Sequence, residues 1–502
     1  MKIYCKRLTA ALCSAALLFQ GAFALTAGAE APGQTYNYDL WDEAVPSQAG
    51  YIAERSVSGT DLGIKNFDEP SDIFCDNGTF YIADTKNDRI VAADPELSSA
   101  VRVYTSFTMP DGTATKLNKP KGVYVSQYTG FIYIADSENS RVLIAEKDGT
   151  VVNEIRRPKS ELYTAPTFKP QKILADKAGN IYVVLGNITT GAAMFAPDGT
   201  FSGFYGANRV QPASEKLGSF FRNIFLTEEK KARKKRSIPT GITSFDLDGD
   251  FIFTCTASSS QQTDTVKKLN AAGKNIFAGY SITVGDYTPV YDSTRNISFA
   301  PSITDIDISA DGCINCLDYT TGRIFQYDEE CNLLFITGEK SNQLGGFTSA
   351  AAIESLGERL YVVDSVKDTV TVFRETSFGA AVHKATSLYN DGYYEEALEP
   401  WYEVLRRDGN YRRANIGAAS ALLRKGDYKG AMKYAKRGGS PDIYNKAFEG
   451  WRREFIRRNF AYIATGITAL AALVIFRRRH RRKLSAAKKT ARKEAGPHDG
   501  SV

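Results

Sequence analysis

Between Tyr51 and about residue 376, β-branched and aromatic runs of about four to eight residues alternate with Asp-Gly or Asn-Gly turns, as at Asp76-Asn77-Gly78, Asp148-Gly149, Asp198-Gly199 and Asp311-Gly312. Such turns favour tight hairpins, so the region reads as a series of small antiparallel sheets. From Phe378 the apolar spacing becomes helical. Between Phe460 and Phe476 charge disappears (FAYIATGITALAALVIF), and a helix of that length covers roughly 25 Å, close to the hydrocarbon thickness of a bilayer. Thr465 and Thr468 do not interrupt it, because their hydroxyls can bond the preceding helical carbonyls.

The strand region repeats itself. Pro70-Ser-Asp-Ile73, followed by Tyr81-Ile-Ala-Asp84-Thr-Lys-Asn87-Asp-Arg89-Ile90, matches Pro120-Lys-Gly-Val123, followed by Tyr133-Ile-Ala-Asp136-Ser-Glu-Asn139-Ser-Arg141-Val142. A third copy starts at Pro170-Gln-Lys-Ile173. A fourth starts at Pro239-Thr-Gly-Ile242, with Asp248-Gly249 turning into Phe251-Ile-Phe253. The fifth is Ile303-Thr-Asp-Ile306, and a worn sixth runs through Leu360-Tyr-Val-Val-Asp364. Sheets repeated at this interval pack face to face around an axis. The motif Tyr-Ile-Ala-Asp-x-x-Asn-x-Arg-Ile/Val, with its upstream Pro-x-x-Ile/Val, resembles the NHL family of six-bladed propellers over roughly Tyr51 to Phe373. The expected fold is mainly β: a six-bladed β-propeller over 51–376, with residues around Tyr51 to Val57 completing the last blade. The recurring Asp84, Asn87, Arg89, Asp136, Asn139 and Arg141 invite a catalytic reading. Their periodicity assigns them to the scaffold instead, with short polar side chains tying down turn amides and each arginine pairing with an aspartate.

The period breaks between Pro170 and Pro239, which lie 69 residues apart instead of about 50. The excess, about 210–237, holds apolar Phe220 and Phe221 and the basic run Lys230, Lys231, Arg233, Lys234, Lys235 and Arg236. It predicts one or two short helices on a blade loop. Two uses stand side by side: a locally packed insertion with a solvated tip, or an adaptor surface for a partner or for anionic envelope polymers.

Self-similarity returns over 378–458. Ala385, Leu388, Gly392, Tyr394 and Ala397 recur 34 residues later as Ala419, Leu422, Gly426, Tyr428 and Ala431. That is the tetratricopeptide period, and the residues resemble two repeats of that family. Small residues let paired helices approach, the glycine permits the turn and the tyrosine packs against it. The family's usual proline after the second helix is missing. Tyr444 to Arg458 is expected to cap the pair and run on into the span. The module is either a spacer or a docking groove.

The net charge of +6 sits at the ends: +8 from Arg477 to Val502 and +3 in residues 1–29, leaving the body at −5. The body is mildly acidic, so the net charge is no sign of polyanion binding, and no nucleic-acid partner is expected. Residues 1–29 carry Lys2, Lys6 and Arg7, then an apolar stretch, then Ala27-Gly28-Ala29, the three-part pattern of a signal peptide. Residues 30–50 form a lead-in. Arg477, Arg478, Arg479, Arg481, Arg482 and Lys483 make the heavier basic flank of 460–476, so the positive-inside rule puts the tail, 477–502, in the cytoplasm and the body outside the plasma membrane.

The three histidines, His383, His480 and His498, all lie outside the strand region. Their placement removes His-ligated zinc, Ser-His-Asp hydrolysis and imidazole acid–base chemistry from the predicted propeller. Cys313-x-x-Cys316 lies in a predicted strand, where residues three apart face opposite sides. No cofactor is expected. A calcium site of carboxylate and amide ligands, as in gluconolactonase-like propellers, stays open, although nothing singles out its ligands. The whole arrangement resembles single-span NHL-repeat proteins of Gram-positive bacteria, which are thought to accompany solute-uptake transporters. That resemblance implies a non-catalytic interaction protein with a membrane or extracytoplasmic partner, such as a sugar-transporter subunit. The alternative is a calcium-dependent lactonase-like hydrolase using the propeller axis.

Overall fold

The computed structural model describes residues 35–186, 188–206, 241–257, 265–277, 284–287, 290–292, 297–299 and 301–494. Six antiparallel sheets follow one another in sequence order, forming a six-bladed propeller. The first strands of the blades are Pro70–Asp76, Pro120–Val125, Pro170–Ala175, Ile242–Asp248, Ile303–Ile308 and Ala350–Leu356, and they pack side by side in a closed ring about the axis. Blade 6 takes its fourth strand, Tyr51–Val57, from the N-terminal side of blade 1, paired against Thr369–Glu375. Chain start and chain end of the propeller are thus held by one ladder. Blade 4 shows three strands among the described residues.

Local chemistry explains these elements. The middle strands Ile132–Asp136 and Arg141–Ala145 are buried at every residue. Both faces of a blade meet neighbouring blades, so apart from the paired Asp136 and Arg141 at their ends these runs are apolar throughout rather than alternating. At the first hairpin, Asn77 and Gly78 take φ of 47° and 80°, the successive positive values that a two-residue connection requires.

Each first strand carries a bulge after its first residue: at Pro70/Asp72, Pro120/Gly122, Pro170/Lys172, Ile242/Ser244, Ile303/Asp305 and Ala350/Ala352. Proline suits that place because the bulge frees it from donating to the ladder. In blade 4 the bulge aligns Ile242-Thr-Ser-Phe245 with Pro70-Ser-Asp-Ile73, three residues later than the spacing from Pro239 predicts. Ile242, not the proline upstream, fills the bulge position.

Five helices follow: α1 (Ser377–Asn390), α2 (Leu398–Arg407), α3 (Arg412–Lys425), α4 (Tyr428–Gly438) and α5 (Pro441–Glu494). Thr376 caps α1, its Oγ1 accepting from Gly379 N at 3.0 Å. Each helix packs on the next. Ala385, Ala397, Ala419 and Ala431 are wholly buried, and Gly392 and Gly426 turn the chain in the left-handed region at φ of 86° and 81°. Trp401 lies directly on Gly417, where a Cβ would come within 2.2 Å of its Nε1.

One hydrophobic core runs from blades 5 and 6 into these helices, joining Phe335, Phe347 and Phe373 to Phe378, Val382, Trp401 and Tyr411. Polar contacts fix the same junction. Tyr411 Oη donates to the Leu334 carbonyl at 2.7 Å, and Arg413 pairs with buried Asp328 at 2.8 Å. The lead-in forms a hairpin, Tyr36–Tyr38 with Ala44–Pro46, and Ser47 Oγ then donates to Asp408 at 2.8 Å.

The sequence predicts a capping helix that runs on into the span, with a tail after it, and α5 runs unbroken for 54 residues from the capping segment through the span into the tail. Its first turns pack on α4 and bury Ala447, and its apolar middle is exposed. Among the described residues it is the one helix long and apolar enough to cross a membrane.

Candidate functional site

The six bulges bring Asp72, Gly122, Lys172, Ser244, Asp305 and Ala352 to one level of the ring. Charged residues come from blades 1, 3 and 5, and small ones from blades 2, 4 and 6. Lys172 Nζ reaches Asp72 Oδ1 and Asp305 Oδ1, the latter at 3.1 Å, and so ties three alternate blades across the axis. Gly122 leaves no room for more, since a Cβ there would lie 2.3 Å from the Gln171 carbonyl. Burial alone would lower the Lys172 ammonium, but Asp305 and Asp72 hold it above its ordinary range.

Two residues further along the strands the ring is divided. Blades 1–3 present Phe74, Tyr124 and Leu174, and blades 4–6 present Asp246, Asp307 and Glu354. Except for Asp307, these residues line, with Asp72, Lys172 and Asp305, an axial cavity of about 30 Å³, room for about one water molecule.

The axial carboxylates staple one blade to the next. Val123 N donates to Asp72 (2.9 Å), Ile308 N to Asp246 (2.7 Å), Ile353 N to Asp305 (2.8 Å), Ser355 N to Asp307 (3.1 Å) and Cys75 N to Glu354 (3.1 Å). Each of these amides belongs to the following blade, and the last closes blade 6 onto blade 1. Burial pushes Asp246 up to about 8, with Asp307 adding to the rise. It pushes Asp307 and Asp72 up to about 6 and Glu354 well above the carboxylate range.

The repeat-motif residues of blades 1 and 2 lie away from the axis, at the far end of the second strand. Asp84 accepts from Asp68 N (2.8 Å), Asn87 Nδ2 (3.0 Å) and Arg89 Nε (2.6 Å). Asp136 does the same with Asn118 N (2.8 Å), Asn139 Nδ2 (2.8 Å) and Arg141 Nε (2.7 Å). Asp318 and Asp364 hold the equivalent loop amides of blades 5 and 6. The arrangement anchors the loop entering each of these four blades. Phe220, Phe221, Lys230, Lys231, Arg233, Lys234, Lys235 and Arg236 fall outside the described residues. In the helical part, Tyr394 stands edge-on to Tyr389, with ring centroids 4.9 Å apart. Tyr428 packs beneath Gly450 of α5. Arg477, Arg478, Arg479, Arg481, Arg482 and Lys483 are all exposed on α5.

Counting histidines along the strand region misses His383. It lies on α1, yet the shared core brings it against blade 5, where Nε2 meets Gln326 Oε1 at 2.7 Å and Nδ1 meets Glu375 Oε1. With Asp311 and Cys313 it makes the one group of three metal-ligating side chains among the described residues. Both ring nitrogens are already committed to Glu375 and Gln326, so the group does not fit a metal as it stands. Cys313 and Cys316 enter different cores on the two faces of blade 5, and all five cysteines of the described residues are free thiols.

Calcium needs six to eight oxygens converging at about 2.4 Å. The axial carboxylates do not converge: no three of them form a ligating group among the described residues, and their oxygens are turned to the amides of the next blade and to Lys172. They do not fit the ion in this arrangement.

No protein-family model and no curated protein matches the chain. Solved structures do match. They include a catalytically inactive virginiamycin B lyase from Staphylococcus aureus, with 12% identity and a TM-score of 0.38 over 64% of this chain and 99% of that one. The β-propeller domain of Cps50 (Swd1) from Myceliophteria thermophila matches at 10% identity and 0.37, over 65% and 100%. A luciferin-regenerating enzyme matches at 11% and 0.37, over 65% and 96%. At these identities the likenesses do not bear on activity.

Proposed function

We propose that the chain is a membrane-anchored, extracytoplasmic, non-catalytic interaction protein, with an NHL-type propeller and two tetratricopeptide-type repeats forming one head above a single span. The observation that carries this reading is the core continuous from blades 5 and 6 through the helices to the first turns of α5. A head joined in this way to an apolar helix is held at a set orientation to a bilayer, which suits a scaffold presenting fixed surfaces. The use of the axial acids as staples between blades, around a cavity of about 30 Å³, also favours a structural axis over a substrate site.

The partner is a membrane or extracytoplasmic protein, and by the resemblance to Gram-positive NHL-repeat proteins a solute-transporter subunit. The apolar and basic insertion, about 210–237, and the helical module are its docking surfaces. The basic flank from Arg477 to Lys483 lies against anionic cytoplasmic lipid headgroups. Capture from native membranes tests the surfaces: the full chain retains its partner, and a chain lacking 213–237 loses it. Unchanged capture would refute the role of the insertion.

A calcium-dependent hydrolase at the axis is the rival, and a purified head whose lactone hydrolysis is abolished by chelator and restored by calcium would establish it.

A further inference from the structure

The two helical repeats align at one offset but carry opposite charge. At the 34-residue spacing, Asp391, Glu395, Glu399 and Glu403 of the first become Lys425, Lys429, Lys433 and Arg437 of the second. None of the eight is buried, so packing does not dictate the change of sign. From Arg424 to Arg458 the chain has eleven Lys and Arg against four Asp and Glu, a net of +7, which leaves residues 30–423 at −12. The charge of the body is thus polarised along the chain, with the basic stretch immediately before the apolar segment of α5.

The fold turns this stretch toward that segment. Gly438 lies on Ile416 and Gly430 on Leu422, so α3 and α4 are antiparallel; Gly450 lies on Tyr428, so α4 and the start of α5 are antiparallel too. The turn from α3 to α4, with Arg424, Lys425 and Lys429, therefore points the way α5 runs. It stands level with Gly450, ten residues before Phe460, which is about 15 Å along a helix. Arg452, Arg453, Arg457 and Arg458 occupy the interval, all exposed. A headgroup layer adds roughly 5–7 Å to each side of the hydrocarbon, and an anionic surface is felt for about 8 Å beyond it at physiological salt. Together these distances reach the α3–α4 turn. Phe455 and Ile456, exposed about 6–8 Å above Phe460, stand at the depth of the headgroups, where aromatic side chains gather. The acids at this end are already engaged: Glu454 pairs with Arg458 at 3.4 Å, and Asp427 caps α4, accepting from Gly430 N at 3.0 Å.

We infer that the span-facing end of the second repeat, with the first turns of α5, is a docking surface for the anionic lipid headgroups of the extracytoplasmic leaflet. The inference rests on the reading of α5 as a membrane span. A bilayer suits the surface better than an acidic partner protein, because the cations are ranged around the one helix that enters the hydrocarbon, at heights that an unbroken helix fixes. Lys433 and Arg437, further along α4, climb away from the surface. The first repeat, which keeps the acids, does not pack on α5. Attraction at the basic end and repulsion of the acidic remainder hold the propeller off the bilayer, which leaves its faces open to a partner.

The test uses the full chain in nanodiscs of phosphatidylcholine, alone or mixed with phosphatidylglycerol. Acylation by a water-soluble reagent is followed at each lysine by mass spectrometry, and hydrogen exchange is read over 460–476. With phosphatidylglycerol present, Lys425 and Lys429 should react about twofold more slowly, because an anionic surface keeps nearby amines protonated. Lys436, about 12 Å further up α4, should keep its rate, and high salt should erase the difference. Equal rates in the two lipids, with 460–476 protected, would overturn the docking surface and leave the span standing. Fast exchange over 460–476 would overturn the span, and the inference with it. Slowing on addition of soluble polyphosphate to phosphatidylcholine discs, with none from phosphatidylglycerol, would assign the cations to a soluble polyanion and overturn the lipid surface.

Discussion

Arg89 and Asp84 show how far a single residue pair carries the scaffold. The pair is buried on both sides at 2.6 Å, and removing one partner leaves a buried charge exposed to nothing but protein. Arg89→Ala is expected to cost about 3 kcal/mol in urea unfolding, whereas Lys86→Ala, at the half-exposed pair with Glu69, should cost under about 0.5 kcal/mol. Equal losses would remove the aspartate–arginine pair from the scaffold role. The axial acids act in the opposite sense. Asp72, Asp246, Asp307 and Glu354 have folded pKa values raised above those of the unfolded chain. Their contribution to stability is therefore complete below about pH 4 and is lost as pH climbs through about 6 to 8. Melting temperature should fall between pH 5 and pH 8, and Glu354→Gln should flatten that fall and raise the melting temperature at pH 8 by about 2–4 °C. A steeper fall in the variant would contradict the assignment. Asp84, Asn87 and Arg89 were legible in the sequence because they recur. The axial set was not, because the third position of each bulge reads Asp, Gly, Lys, Ser, Asp and Ala, and a search for repetition discards what differs.

At the scale of elements, blade and helix types follow from their patterns, while their junctions do not. Both faces of the middle strands are buried, so their apolar runs are unmistakable. Blade 4 slips by three residues because Pro239 mimics a bulge position that Ile242 fills. Asn315 of blade 5 stands where the other blades carry tyrosine or phenylalanine, and a search for repetition passes over it. The helical pair was legible from its 34-residue offset, but Gly417 lies outside that set and its use appears only with Trp401 against it. Gly417→Ala places a Cβ within 2.2 Å of Trp401 Nε1, so about 1–3 kcal/mol should be lost as the helices shift. Hydrogen exchange should rise across α2 and α3 and leave blades 1–3 unchanged. Uniform exchange would mean that the helices and propeller unfold only together.

For the whole molecule, the shared core makes the helical module a continuation of blades 5 and 6 rather than a tethered domain. His383 illustrates why sequence order misjudges such a chain: it is ten residues past Phe373 along the chain, yet the fold returns it to the propeller. The proposed function requires that this head work in company. The most direct measurement is the mass of the particle released from native membranes in mild detergent, after brief crosslinking and with the detergent contribution subtracted. The account predicts a particle of fixed stoichiometry, well above the 55.2 kDa of a single chain, with a second membrane protein in it. A particle of monomer mass, with or without crosslinker, would contradict it.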